Sequence, residues 1–352
     1  MRRRWAFFVI TGLLVAAAIE LQAWIFTHIA LRYGVLRFYP TDLFARMTDD
    51  ELATAVGRLP LGWPAEDTPR GTPSAPVCGA AFGDSMTQGS EVADQEAWVH
   101  LVSERLGCGL ANYAVPAYGL DQSVLRHEQI AVPGELAILG IYVEMLRRSV
   151  AASWTFYAPS QPMKLYSLKP YFRLDRDGIA MQSIPQPLTR AAVAAHHAGD
   201  YFRRRVATPA RLPYTLAVAR AAFVRVFRTA DYRGNAEKYF DPADPSGSGV
   251  LARHLVDRFA RAAQQRGARA IVVMIPHPHR LMIDSTAELQ FIAELGARGD
   301  LCVIDLKPAL REHARPLGGK LPVAPQGHYT ATGNRLIAEG VTAGMRACGV
   351  AP

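Results

Sequence analysis

The chain has 352 residues, 50% of them hydrophobic and 20% charged, enough for one large α/β domain with additions or for two domains. A formal charge of +8 favours anionic surroundings such as phospholipid headgroups or acidic polymers, and no helix-turn-helix, zinc-finger or RNA-binding signature accompanies it, so nucleic acid is not an expected partner. None of the four cysteines, Cys78, Cys108, Cys302 and Cys348, forms a C-x-x-C pair, which argues against a zinc site; their even number suits one or two disulfides in an oxidising compartment, with buried unpaired thiols as the alternative.

At the N-terminus Arg2-Arg3-Arg4 precede WAFFVITGLLVAAAI, which is uncharged through Ile19. A helix from Trp5 to Trp24 spans about 28 Å, close to the thickness of a bilayer's hydrocarbon core, with an aromatic residue at each interface. Glu20 falls within a turn of the outer end, where its cost is well below the roughly 3 kcal/mol of a charge at the centre. The arginines hold the N-terminus in the cytoplasm and send the remainder across. A cleaved signal peptide with Ala16-Ala17-Ala18 as its small-residue site is the competing reading. Apolar residues continue to Ala30, which favours an uncleaved anchor over residues 1–30. Both readings put the main domain outside the cytoplasm, on the periplasmic side.

Residues 31–75 read as a juxtamembrane helix, TDDELATAVG, followed by a proline-rich spacer. The folded domain is expected over 76–352. PVCGAAF, LANYAV, LAILGIY, ARAIVVMI and LCVIDL are apolar runs that predict five strands. Between them QEAWVHLVSERLG, VLARHLVDRFARAAQQRG, DSTAELQFIAELG and TGNRLIAEGVTAGMRA carry helical periodicity, and Ser285 stands three before Glu288 as a capping box. Uninterrupted apolar strands alternating with helices predict an α/β fold whose parallel five-stranded sheet is covered on both faces. Ligands bind such sheets at the carboxyl ends of the strands. An insertion over about 147–247 separates the third and fourth strands. It is placed to cap the active end. It contains a hairpin turning at Asp177-Gly178 and a basic helix, LPYTLAVARAAFVRVFR, with Arg220, Arg225 and Arg228. That helix either packs within the cap or rests on a membrane surface.

Three stretches carry candidate chemistry. Gly83-Asp84-Ser85 follows the first strand directly, where a sharp turn lifts a hydroxyl out of the sheet; a plain turn is the alternative. Gly119, just past the second strand, offers an unobstructed backbone N–H or a turn. His328 lies in a loop before the last helix, as a candidate base. His277 and His279 end the fourth strand without an accompanying carboxylate cluster and read as loop histidines or a substrate contact, so no metal is expected. Asp305 ends the fifth strand, in a capping or turn role or as an acid for the site.

These blocks, GDSMTQG, AVPAYG and GHYTATG, taken in order, resemble the SGNH (GDSL) hydrolase family over roughly residues 76 to 348. The resemblance implies a flavodoxin-like three-layer sandwich and ester or acyl-transfer chemistry without a cofactor. It further implies Ser85 as nucleophile, His328 as base, and the N–H groups of Ser85 and Gly119 as oxyanion donors. The substrate would be an acyl ester, in keeping with an envelope-bound member acting on an anionic polysaccharide or a lipid. Two positions depart from the family pattern. After the third strand the chain has Glu144 and Met145 where the family has an oxyanion Asn, and Gln326 stands where the family has an acid before the histidine. Glu144 then has three possible arrangements: pairing with Arg147 or Arg148, donating as a neutral acid, or orienting His328. The last is favoured, because it makes Glu144 and Gln326 compensating changes. The same departures fit a second reading, a catalytically degenerate member that binds envelope polysaccharide or a partner protein.

Overall fold

The computed structural model describes residues 2–33, 38–39, 48, 69–71, 73, 75–130, 134–153, 168–175, 178–206, 208–224, 226 and 236–350. They fall into two compact units. One comprises 1–58, 151–168 and 184–235; the other comprises 59–150, 169–183 and 236–352. The expected helix TDDELATAVG and most of the proline-rich spacer lie outside the described residues, as do Asp177, Arg225 and Arg228.

The larger unit is built on five parallel strands, β1 (Val77–Phe82), β2 (Gly109–Asn112), β3 (Leu136–Tyr142), β4 (Arg269–Ile275) and β5 (Leu301–Asp305). Their order across the sheet is β2-β1-β3-β4-β5. This is the doubly wound order in which the connections reverse between β1 and β3, so the carboxyl ends of those strands open a crevice. The inner strands are apolar on both sides because both faces are covered: Ile138, Leu139, Ile141, Ile271, Val272 and Val273 are fully buried. On one face lie α4 (Leu120–Gln129), α9 (Ser248–Gln265) and α10 (Thr286–Gly296); on the other lie α3 (Trp98–Leu106) and α12 (Ala331–Ala347). The helix α9 presents Leu251, Leu255 and Phe259 to β4, as their spacing of four requires. Three layers, α/β/α, result.

Local details differ from the sequence expectations in instructive ways. Ser285 does cap α10 by accepting the Glu288 N–H at 3.4 Å. The Glu288 carboxylate does not close the box; it takes the buried Lys307 ammonium at 2.5 Å, across 19 residues. Asp305 accepts the Lys307 N–H at 2.9 Å and so starts α11 (Lys307–Ala314), a capping role. The four cysteines form two disulfides, Cys78–Cys108 and Cys302–Cys348. The expected hairpin runs from Tyr171–Asp175 to Gly178–Gln182 and belongs to the sheet unit. It is preceded by Lys169, whose ammonium is fully buried against the Asp121 carboxylate of α4. Arg258 of α9 stacks 5.3 Å from the Phe172 ring.

The smaller unit contains α1 (Arg2–Tyr33) and the rest of the insertion: α6 (Arg190–Ala198), α7 (Tyr201–Val206) and α8 (Tyr214–Phe223). The inserted segment therefore divides between the units. The stretch Arg3–Ala30 of α1 is long and apolar enough to cross a membrane, and Trp5, Phe7, Phe8, Leu13 and Leu14 are each at least 65% exposed. The basic helix of the insertion, α8, packs on α1.

One buried group gives the sheet unit a pH dependence. His127 of α4 is wedged between Phe82 of β1 (5.0 Å, edge-on) and Phe259 of α9 (4.7 Å). Burial, and secondarily the charge of Arg266, pushes its imidazole down to about 4. The unfolded chain then binds the extra proton between pH 6.5 and about 4, so stability is lost as the pH falls through that window and this group adds no further change below it. The loss is at most about 3 kcal/mol. Urea denaturation of the chain in detergent should show this fall, and His127→Leu should flatten it.

Candidate active site

The turn after β1 is fixed by steric and ionic constraints. Gly83 and Gly140 face the fully buried Thr87 from adjacent strands; a methyl on either would collide with the Thr87 hydroxyl. Asp84 is fully buried and caps α2 (Ser85–Gln88): its Oδ1 accepts the Met86 N–H at 3.0 Å. Its Oδ2 accepts Nη1 of Arg148 at 2.8 Å, and the same nitrogen donates to the Tyr118 carbonyl at 3.1 Å. Arg148 belongs to α5 (Val143–Ser149), which follows β3. One guanidinium thus ties together the loops after β1, β2 and β3. Ser85 is the first residue of α2 and retains 9% of its surface. Among the described residues neither its hydroxyl nor its N–H makes a hydrogen bond, so an unengaged hydroxyl and an unengaged N–H stand side by side.

His328 sits in the tight loop before α12, where Ala324 N–H donates to its carbonyl at 2.9 Å and Gly327 N–H donates to the Ala324 carbonyl at 2.9 Å. The imidazole Nδ1 meets Glu91 Oε2 at 2.5 Å. An ionised carboxylate only accepts, so Nδ1 carries the proton and the neutral ring leaves Nε2 as an acceptor. The same carboxylate accepts the N–H of Gln326 at 2.8 Å and of His328 at 3.4 Å. Partial desolvation raises the Glu91 carboxyl, but the hydrogen bonds from His328 and the two backbone N–H groups, with the His328 charge, outweigh it and hold the group below its ordinary value. Glu91 therefore remains an anion wherever the imidazole works as a base.

Glu91 has φ +68, a left-handed conformation uncommon in a non-glycine residue. Arg70 holds the loop in that shape. Its guanidinium donates to the carbonyls of Gln88 (2.9 Å), Gly89 (2.5 Å) and Val92 (2.5 Å) and to Asp94 Oδ1 (2.7 Å). Asn112 at the end of β2 closes the same loop from inside, donating to the carbonyls of Thr87 and Gln88. The two halves of the site are joined through Trp98. Its indole donates to the Met86 carbonyl at 3.0 Å, and its backbone N–H donates to Asn334 Oδ1 of α12 at 3.1 Å. Asn334 in turn donates to the Tyr329 carbonyl, next to His328.

Two expected roles are corrected. Glu144 does not orient His328. A helix starts at Val143, and Glu144 Oε2 meets Arg147 Nη2 at 2.6 Å, three residues on. The acid that meets His328 is Glu91, which sequence spacing alone did not single out. Gly119 does not present a free N–H: it donates to Gln122 Oε1 at 3.1 Å and so closes the first turn of α4. His277 and His279 meet each other, the His279 N–H donating to His277 Nδ1 at 3.1 Å. Among the described residues no group of three or more His, Cys, Asp or Glu gathers as a metal site.

No protein-family model and no curated protein matches the chain. Solved structures are similar to it, among them the following three. A member of the lipolytic protein G-D-S-L family from Veillonella parvula DSM 2008 has 12% identity and a TM-score of 0.38, over 76% of this chain and 97% of that one. The structure of TesA has 9% identity and a TM-score of 0.41, over 77% of this chain and 99% of that one. The salicylyl-acyltransferase SsfX3 from a tetracycline biosynthetic pathway has 12% identity and a TM-score of 0.35, over 80% of this chain and 56% of that one. The chemistry of the site therefore rests on its own geometry.

Replacing Glu91 by Gln keeps the shape of the loop and removes the charge opposite Nδ1. Turnover of a small activated ester should fall by about 10²–10⁴ with the thermal midpoint little changed, because loss of an orienting carboxylate costs up to about 10⁴ in a well-studied triad. Arg70→Ala should lower the same rate by roughly tenfold or more through Glu91 and leave Cys78–Cys108 formed, as mass spectrometry would record.

Proposed function

We propose that the chain is a membrane-anchored serine esterase or O-acyltransferase of the SGNH type, acting on acyl esters of cell-envelope glycans or lipids. The observation that carries this reading is the 2.5 Å contact between Glu91 and His328 Nδ1. A loop histidine packed only for stability has no need of a carboxylate supported by two backbone N–H groups. In the reaction Ser85 Oγ forms a bond to the acyl carbon while Nε2 of His328 takes the hydroxyl proton. Glu91 stabilises the imidazolium. The Ser85 N–H takes the oxyanion; Gly119 joins it only when the Gln122 amide turns aside. His328 returns the proton to the departing alkoxide, and water or a glycan hydroxyl then accepts the acyl group from Ser85.

The anchor reading is supported by Arg2, Arg3 and Arg4 ahead of the exposed apolar length of α1. Two disulfides and no free thiol support an oxidising compartment for the sheet unit. The net charge of +8 supports an anionic polymer or headgroup as the surroundings of the substrate.

The test is a fluorophosphonate probe on the full chain in detergent near neutral pH. Ser85 should be labelled, with peptide mapping to the Ser85–Gln88 turn, and Ser85→Ala should abolish the label. Absence of label on a chain that melts cooperatively would overturn the catalytic reading and leave a binding protein of the same fold.

A further inference from the structure

Glu20 is the one charged residue between Trp5 and Trp24, within the stretch Arg3–Ala30 that is long and apolar enough to cross a membrane. An uncompensated charge at that depth is costly, and such residues normally find a partner within the protein. The partner here is a helix end. Glu20 Oε1 accepts the N–H of Tyr214, and Oε2 accepts the N–H of Thr215 at 3.1 Å and its hydroxyl at 2.8 Å. Tyr214 and Thr215 open α8, so these N–H groups have no acceptor within their own helix. The two helices then pack through small residues. Ala30 of α1 clusters with Ala210, Ala217 and Ala221, with Val218 against them, and Thr27 is fully buried. Glu20, Thr27 and Ala30 are spaced to share one face of α1, which brings the backbones close.

The position of Glu20 sets a depth. The hydrocarbon core needs about twenty helical residues, and counted from Trp5, just beyond the arginines, it reaches Trp24. Glu20 lies about 6 Å inside that level at 1.5 Å per residue. The first turn of α8 is tied to it and enters the same layer. The outward side of α8 and the residue ahead of its cap suit this environment: Leu216 and Phe223 are 66% and 52% exposed, and Leu212, just before Pro213, is 70% exposed. Leu21, Ile25 and Ile29 of α1 are exposed as well. Arg211 precedes Leu212 and Arg220 stands between Leu216 and Phe223; both arginines are exposed, with stems long enough to reach headgroups. A helix whose carboxylate caps a later helix of the chain is also a working part of the fold, which a cleaved leader is not.

We propose that α8 is a second membrane-embedded element, capped by Glu20 within the bilayer, with Leu212, Leu216 and Phe223 among the acyl chains of the leaflet where α1 ends. The occupant of its exposed face is lipid, because the first turn of α8 is tied to Glu20 at the depth that the anchor sets. This inference rests on the reading of α1 as an uncleaved anchor. It brings the inserted segment to the layer in which a lipid-linked acyl ester resides.

The test uses the full chain reconstituted in phosphatidylcholine–phosphatidylglycerol vesicles, with an environment-sensitive NBD label on a single introduced thiol. Leu216→Cys reports on α8, Leu212→Cys repeats the measurement at a second exposed site, and Ile10→Cys reports on the anchor. All three labels should shift to the blue and be quenched at least twofold by doxyl-labelled lipids. Quenching at position 10 without quenching at 212 and 216 would overturn the inference and leave the anchor intact. No quenching at any position would remove the anchor reading itself. Glu20→Ala should at least halve the quenching at 216; an unchanged value would overturn the role of Glu20 as the cap that holds α8 at depth.

Discussion

The interior of the sheet unit is organised around one ion pair, Asp84 with Arg148. Both side chains are almost wholly out of water, so neither charge is tolerable alone, and removing one partner of such a pair typically costs about 3–5 kcal/mol. The pair does more than cancel charge. Asp84 sets the first turn of α2 and thereby the direction of Ser85, while Arg148 reaches the Tyr118 carbonyl from the far side. The three loops that close the active end of the sheet are consequently fixed by contacts that must all form together. This is how a serine at the end of a strand is held in place when its own hydroxyl and N–H have no partner to hold it.

Around that centre the site is assembled by backbone carbonyls more than by side-chain pairs. The guanidinium of Arg70 gathers three of them, Asn112 two, and Trp98 one. A loop held by its carbonyls is held in conformation, whatever side chains it carries. That explains how Glu91 persists at a positive φ, whose cost of order 1–3 kcal/mol the surroundings must offset. It also makes the end of the spacer, at Arg70, part of the site's scaffold.

The strands were legible because each is an unbroken apolar run, and burial on both faces demands such runs. Ser85 and His328 could be singled out as candidates because each stands at a junction between elements. Glu91 was not, for a physical reason: its partner lies 237 residues away and its position depends on a loop shape imposed by Arg70. No periodicity or turn signal encodes such a contact. Glu144 misled for the opposite reason. It stands where an important residue was expected, but the helix that begins at Val143 brings Arg147 within reach and the local pair forms. Gly119 looked accessible because a glycine has no side chain to block it, and the block came from Gln122 at the third position of the next helix. The long apolar helix α1 was legible from composition; its contact with α8 depends on residues 194 apart.

The two disulfides have a consequence that follows from where they sit. Cys78 and Cys108 lie at the amino ends of β1 and β2, and Cys302 lies near the amino end of β5. The strands β2 and β5 are the two edges of the sheet. Both cross-links therefore brace the floor of the sheet, at the end away from Ser85, and each clamps an edge strand that would otherwise fray first. The opposite rim has no cross-link among the described residues and is held by hydrogen bonds, ion pairs and packing. Cross-links at the floor leave the rim near Ser85 as the end where local opening costs least.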